Sequence, residues 1–173
     1  MHSSNTPCAM PPILYGTAWK KERTAALVRQ ALEAGFRGID TACQPRHYHE
    51  AGVGEAVRAC GIPRSELYLQ TKFTPAEGQD ADTIPYDPAT PLPQQVADSF
   101  KVSQRNLQTD YVDALVLHSP LFPFKDLLLV WRAMEEIVQN GGALRIGISN
   151  CYDPKLLQRL HAEAQIKPSI VQN

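Results

Sequence analysis

The stretch TAALVRQALEAGFRGIDT, residues 24–41, decides the fold class. Leu27, Val28, Ala31 and Leu32 recur at helical spacing over Thr24 to Glu33, and Gly35 stands where a helix ends on a left-handed residue that only glycine adopts freely. Phe36 to Thr41 then reads as a strand that closes on Asp40. A helix handed to a strand through one glycine is half of a β-α-β unit, so the same alternation is expected on either side.

It recurs along the chain. Ile13 to Tyr15 forms a short strand ahead of it, and Gly52 to Cys60, with Val53, Val57 and Cys60 on one face, gives a second helix stopped by Gly61. Leu67 to Phe73 is a strand, Gln94 to Leu107 a helix, and Tyr111 to Leu117 a strand. Leu127, Trp131, Met134 and Val138 mark another helix, closed by Gly141 and Gly142 before the strand Leu144 to Ser149. Asp153 and Pro154 suit the N-cap and first turn of a last helix, and Ser169 to Gln172 begins one more strand. Six strands alternating with five helices require a parallel sheet with helical crossovers, the α/β class, in a single domain over residues 1–173. At this length a doubly wound open sheet is complete, whereas an eight-unit barrel usually takes about 250 residues. The chain's stop at Asn173, directly after an apolar strand, is instead expected of a barrel interrupted within a repeat.

The composition is that of an ordinary globular domain: 17 Lys+Arg against 18 Asp+Glu, and 43% hydrophobic residues. A net charge of -1 leaves no basic face suited to nucleic acid. The longest apolar run, Leu127 to Trp131, falls far short of the roughly 20 residues of a membrane span, and Met1 to Pro12 lacks the apolar centre of a signal peptide. The cytoplasm is the expected compartment. Cys8, Cys43, Cys60 and Cys151, without paired spacing, read as free thiols. Prolines cluster in Pro75 to Pro93, a long connection that either shapes a substrate mouth or is a disordered surface loop.

In parallel α/β folds the functional face lies at the carboxyl ends of the strands. Asp40, Lys72, His118, Ser149 with Asn150, and Gln172 stand at five successive strand ends. The loop after Asp40 adds Tyr48, flanked by His47 and His49. A tyrosine beside a buried cation is a proton donor tuned toward neutrality, so Lys72 is expected to lower the phenol's pKa. Asp40 would keep Lys72 charged, and His118 would orient a substrate oxygen.

The chain resembles the aldo-keto reductase family. The resemblance rests on Gly16-Thr17-Ala18-Trp19, Gly35-Phe36-Arg37-Gly38-Ile39-Asp40-Thr41-Ala42, Glu50-Ala51-Gly52-Val53-Gly54, Thr71-Lys72-Phe73, Asp113 with Leu117-His118-Ser119-Pro120, Gly147-Ile148-Ser149-Asn150 and Val171-Gln172. It implies a (β/α)8 barrel of TIM type, incomplete here, and reduction of a small-molecule aldehyde or ketone with NADPH. Asp40, Tyr48, Lys72 and His118 would be the catalytic tetrad, with Tyr48 the general acid. Ser149, Asn150 and Gln172, with Asp40 beside them, would hold the cofactor's nicotinamide. Trp19 would line the substrate pocket with His118. Tyr48 lies eight residues after Asp40 and two before Glu50, a longer loop than the family's, which leaves His47 as the alternative acid. The family's adenine-binding loops follow its seventh and eighth strands and have no counterpart before Asn173.

Three other readings use the same residues. His47-x-His49 with Lys72 and His118 would suit a metal-dependent hydrolase on a similar barrel. Gly52-Val53-Gly54 is a weak nucleotide-loop signal. A non-catalytic binding protein could keep the architecture alone. Asp113 reads as a structural residue at a strand entrance, Glu50 as ordering its loop, and Cys43 is assigned no role.

Overall fold

The structure, a computed structural model, describes residues 9–173. Cys8 and the first eight residues of the Met1–Pro12 segment lie outside them. Six strands, β1 (Tyr15–Gly16), β2 (Gly38–Asp40), β3 (Tyr68–Phe73), β4 (Ala114–Leu117), β5 (Ile146–Ser149) and β6 (Ile170–Gln172), pair in parallel in sequential order. The crossovers contain α1 (Thr24–Glu33), α2 (Glu50–Ala59), α3 (Leu92–Leu107), α4 (Phe124–Gln139) and α5 (Pro154–Glu163).

Strand order separates the two architectures that chain length could not. A doubly wound sheet reverses its strand order at a switch point, because helices must cover both faces. Here the order never reverses, so crossovers of constant hand lay every helix on one face and leave the other as the lining of a curling sheet. The curl is measurable. In a flat sheet β2 and β6 would stand about 19 Å apart, four spacings of about 4.8 Å. Instead Gln172 Nε2 on β6 donates to Asp40 Oδ2 on β2 at 3.1 Å. The molecule is the six-stranded part of a (β/α)8 barrel, the incomplete barrel that the family resemblance implied, and not the open sheet that length alone would allow.

The pairing register sorts side chains between the two faces. Asp40 is level with Gln70, Gln70 with Ala114, Lys72 with Val116, and Ser149 with Gln172. Since alternate residues share a face, these point inward while Ile39, Leu69, Phe73, Leu115, Leu117, Ile146 and Ile148 face the helices. The helices answer with Val28 and Leu32, Val53, Val96 and Leu107, and the fully buried Leu127, Trp131 and Met134. The apolar core therefore lies between sheet and helices, and the concave face is free to be polar.

Local boundaries differ from the sequence reading in consistent ways. The strands are shorter, β1 moves to Tyr15–Gly16, and Ile13 is exposed. Apolarity alone does not mark where a chain enters a sheet. Helix α3 starts earlier, at Leu92, with Pro93 in its first turn, where a missing N–H costs nothing. Gly35 closes α1 with φ +100°, and the Asp153 side chain caps α5 by accepting from Lys155 N, both as expected. Asp113 accepts from Leu69 N at 3.0 Å and from Arg64 Nη2 at 2.8 Å, fastening the strand entrances. The connection after β3 is anchored rather than a free surface loop: buried Tyr86 donates to Thr74 O, and Gln79 Nε2 to Cys43 O, each at 2.8 Å. Among the described residues no helix is long and apolar enough to cross a membrane.

Helix α2 meets α3 at Gly54, where an added Cβ would overlap the carbonyl oxygen of Asn106. Gly54→Ala is therefore expected to destabilise the fold by about 1–3 kcal/mol in urea denaturation, the usual cost of overpacking. Gly16→Ala, where a Cβ meets nothing within 4 Å, should leave the midpoint nearly unchanged.

Candidate active site

At the carboxyl end of the concave face, Lys72 is buried and its Nζ donates to Asp40 Oδ1 at 2.5 Å and to Thr41 O at 3.0 Å. Burial pulls the ammonium's pKa below its ordinary value, and the Asp40 carboxylate opposes that pull. Asp40 also accepts from Gln70 Nε2 at 2.8 Å, on the same oxygen, and from Gln172 Nε2 on the other. Three strands, β2, β3 and β6, thus converge on one carboxylate.

Tyr48 stands above this pair, with Lys72 Nζ 5.5 Å from its ring centroid and the His118 ring edge-on at 6.1 Å. Two anchors position it. Gln44 O accepts from His47 N and Tyr48 N at 3.0 Å each, while Gln44 Nε2 donates to Gly78 O at 2.5 Å. On the other side Glu50, fully buried at the start of α2, accepts from Thr71 Oγ1 at 2.6 Å and Ser103 Oγ at 2.9 Å. Glu50 thus ties the start of α2 to β3 and α3. Burial raises its pKa, and burial likewise pushes the Cys43 thiol up to about 12.

The expected lowering of the phenol's pKa is not what the geometry produces. Burial, reinforced by the Asp40 carboxylate, pushes Tyr48 up to about 12. Lys72 lies over the ring rather than bonded to the hydroxyl, and its charge is neutralised by Asp40. The alternative acid, His47, turns elsewhere: its ring stacks on Trp19 at 3.9 Å, and its Nδ1 is bonded to Gln44 Oε1 at 3.0 Å.

His118, one residue past β4, is largely buried, and desolvation together with nearby Lys72 pushes its pKa down to about 4. Its Nδ1 lies 2.7 Å from Thr74 Oγ1. That hydroxyl is free to donate into Nδ1, an arrangement that leaves the proton of the neutral ring on Nε2. On the next two strands, Ser149 Oγ donates to Gln172 O at 2.5 Å and Asn150 Nδ2 donates to His118 O at 2.8 Å. Asn150 adopts φ +54°, a left-handed conformation of the kind held at functional sites. Trp19 sits apart from the cluster, two-thirds exposed at the outer rim against His47.

Two residues escaped the sequence reading. Gln70 and Thr74 lie two positions before and after Lys72, so the period of a strand puts all three on one face. Polar side chains at alternate positions of a strand otherwise read as buried were the available signal. Gln70 bridges Asp40 and Gln172 Oε1, the latter at 3.0 Å, and its own Oε1 is buried without a partner.

A profile described as the aldo/keto reductase family matches residues 12–173. The methylglyoxal reductase DkgA of Yersinia pestis is 32% identical over 151 residues, which are 87% of this chain and 48% of that protein. An aldo/keto reductase structure from Brucella melitensis superposes with a TM-score of 0.76 at 30% identity, covering 94% of this chain and 57% of that one. An aldo-keto reductase from Bombyx mori, solved in complex with NADP, gives 0.76 at 27% identity over 94% and 53%. The chain spans about half the length of the relatives it matches.

Neutral His118 is open to direct test. In the unfolded chain a histidine takes up its proton near pH 6.5, whereas folded His118 does so only near 4. The unfolded state therefore binds more protons between these values, and His118 withdraws stability as pH falls through that window. Ring-proton NMR should show the His118 resonance still untitrated at pH 5.5, and Thr74→Val should perturb that resonance.

Proposed function

Because the chain belongs to the aldo/keto reductase family, we propose that the protein reduces aldehyde or ketone carbonyls to alcohols with NADPH, using Tyr48 as general acid. The observation that supports this most directly is Tyr48 standing over the Lys72–Asp40 pair and edge-on to a neutral His118. The names of the relatives support the substrate class, and the NADP in the Bombyx mori structure supports the cofactor.

The donor set at β5 and β6 fits a nicotinamide carboxamide. Ser149 and Asn150 offer O–H and N–H donors, while Asn150 and Gln172 offer amide oxygens that can accept. Gln172 would exchange its present bonds to Asp40 and Gln70, and Ser149 its bond to Gln172 O, for that contact. A bound reduced nicotinamide supplies hydride to the carbonyl carbon. The protein's residues act on the oxygen. His118 Nε2–H donates to it and orients the carbonyl, and Tyr48 gives its proton as negative charge develops there. A pKa near 12 keeps Tyr48 protonated at neutral pH, and an alkoxide is basic enough to take that proton. Lys72, paired with Asp40 below the ring, holds the floor on which the phenol stands, and solvent restores the proton that Tyr48 gives up.

Tyr48→Phe in the intact protein should lower aldehyde reduction, followed by loss of reduced-cofactor absorbance, by about 10²- to 10⁴-fold. Cofactor binding should be unchanged, and His47→Ala should keep most turnover. Near-normal turnover in Tyr48→Phe with an inactive His47→Ala would move the acid to His47.

A further inference from the structure

A hollow of about 410 Å³ opens between the β1–α1 and β2–α2 connections, lined among others by Lys21, Glu22, Arg46, His47, Tyr48 and His49. Tyr48 belongs to its wall, so a molecule lodged there touches the same residue that stands over Lys72. Its charges are unbalanced. Two permanent cations, Lys21 and Arg46, accompany one carboxylate, Glu22, and among the described residues none of the three makes an ion pair. His49 and the ring of His47, whose Nδ1–H is given to Gln44 Oε1, complete the wall.

The rim is built rather than incidental. Trp19 and Lys21 both take left-handed backbone conformations, φ +63° and +49°, which bulky residues adopt only when their surroundings impose them. The imposing contacts are visible for Trp19: its N–H donates to His47 O at 2.7 Å, and its ring stacks on the His47 imidazole. The two connections are thereby fastened together at the edge of the hollow, and Lys21 is held on its wall.

We propose that this hollow receives the anionic group of the substrate, so that the preferred carbonyl compound carries a carboxylate or a phosphate. Arg46 offers a planar fork of donors that suits either group, and Lys21 a mobile point charge beside it. A neutral aldehyde of the same shape gains nothing from these cations. The carbonyl half of this assignment rests on the reductase reading, whereas the anion half rests on the hollow itself.

Binding and turnover separate the two halves. The protein has two tryptophans, and Trp131 is fully buried in the core, so a fluorescence change on titration reports on Trp19 at the rim. The probes are 4-(hydroxymethyl)benzoate, 4-(hydroxymethyl)phenyl phosphate and, as the neutral control, methyl 4-(hydroxymethyl)benzoate. Both anions should bind about ten-fold more tightly than the ester, and the tighter anion identifies which group the site prefers. Arg46→Ala and Lys21→Ala should each weaken anion binding by about ten-fold and leave the ester unchanged, the scale of one lost charge-assisted hydrogen bond. Added salt should weaken only the anions. Equal affinity for ester and anions, or anion affinity indifferent to both substitutions, would overturn the proposal. The corresponding aldehydes are then assayed for reduction. Anion binding with no reduction of any aldehyde contradicts the reductase reading and leaves the anion site standing, while reduction of all three with equal KM contradicts the anion site alone.

Discussion

The site depends on one buried ion pair, Lys72 with Asp40. An ammonium with no partner, buried inside a barrel, is driven toward giving up its proton. The Asp40 carboxylate, 2.5 Å away, opposes that drive. Such a pair adds little net stability, because desolvating two charges offsets most of their attraction, but losing either member leaves the other uncompensated. The pair therefore makes several strands answer to one geometry. The parallel register sets Gln70 level with Asp40, Lys72 follows two residues later, and the curl of the sheet brings Gln172 back across to the same carboxylate.

Tyr48 is governed by that pair in a way opposite to simple cation-beside-phenol reasoning. A free ammonium would favour the phenolate, but this ammonium is already paired, and the carboxylate that pairs it raises the phenol's pKa along with burial. The result is a phenol that keeps its proton at neutral pH. Neutral His118 complements this, since a histidine that stays uncharged can donate from one ring nitrogen while the other is held by Thr74.

Much of this was legible in the sequence. The helix-glycine-strand unit at residues 24–41 announced the α/β class, and the reactive residues Asp40, Lys72, His118, Ser149, Asn150 and Gln172 fell at strand ends as the fold's polarity requires. Chain length alone favoured an open sheet, and the barrel was legible only through the family resemblance, because sheet closure depends on strand order, which hydrophobic period does not contain. The pKa of Tyr48 was misjudged because the sequence shows that a lysine is near but not that it is already neutralised. Gln70 and Thr74 went unnoticed for a simpler reason: they stand beside Lys72 in the strand period, yet without the curl nothing connects Gln70 to Gln172, 102 residues away. The stacking of Trp19 on His47 is likewise a contact between two loops, invisible to any local pattern.

The central claim is that Asp40 sustains the charge of Lys72, and the most direct measurement is the ionisation of Lys72 followed by NMR of its ¹⁵N-labelled side chain across pH, in the wild type and in Asp40→Asn. Lys72 should remain protonated at neutral pH in the wild type and release its proton at markedly lower pH once the carboxylate is gone, because burial then acts unopposed. An identical titration in both proteins would contradict the account, since Lys72 would then keep its charge without the partner on which the site is argued to depend.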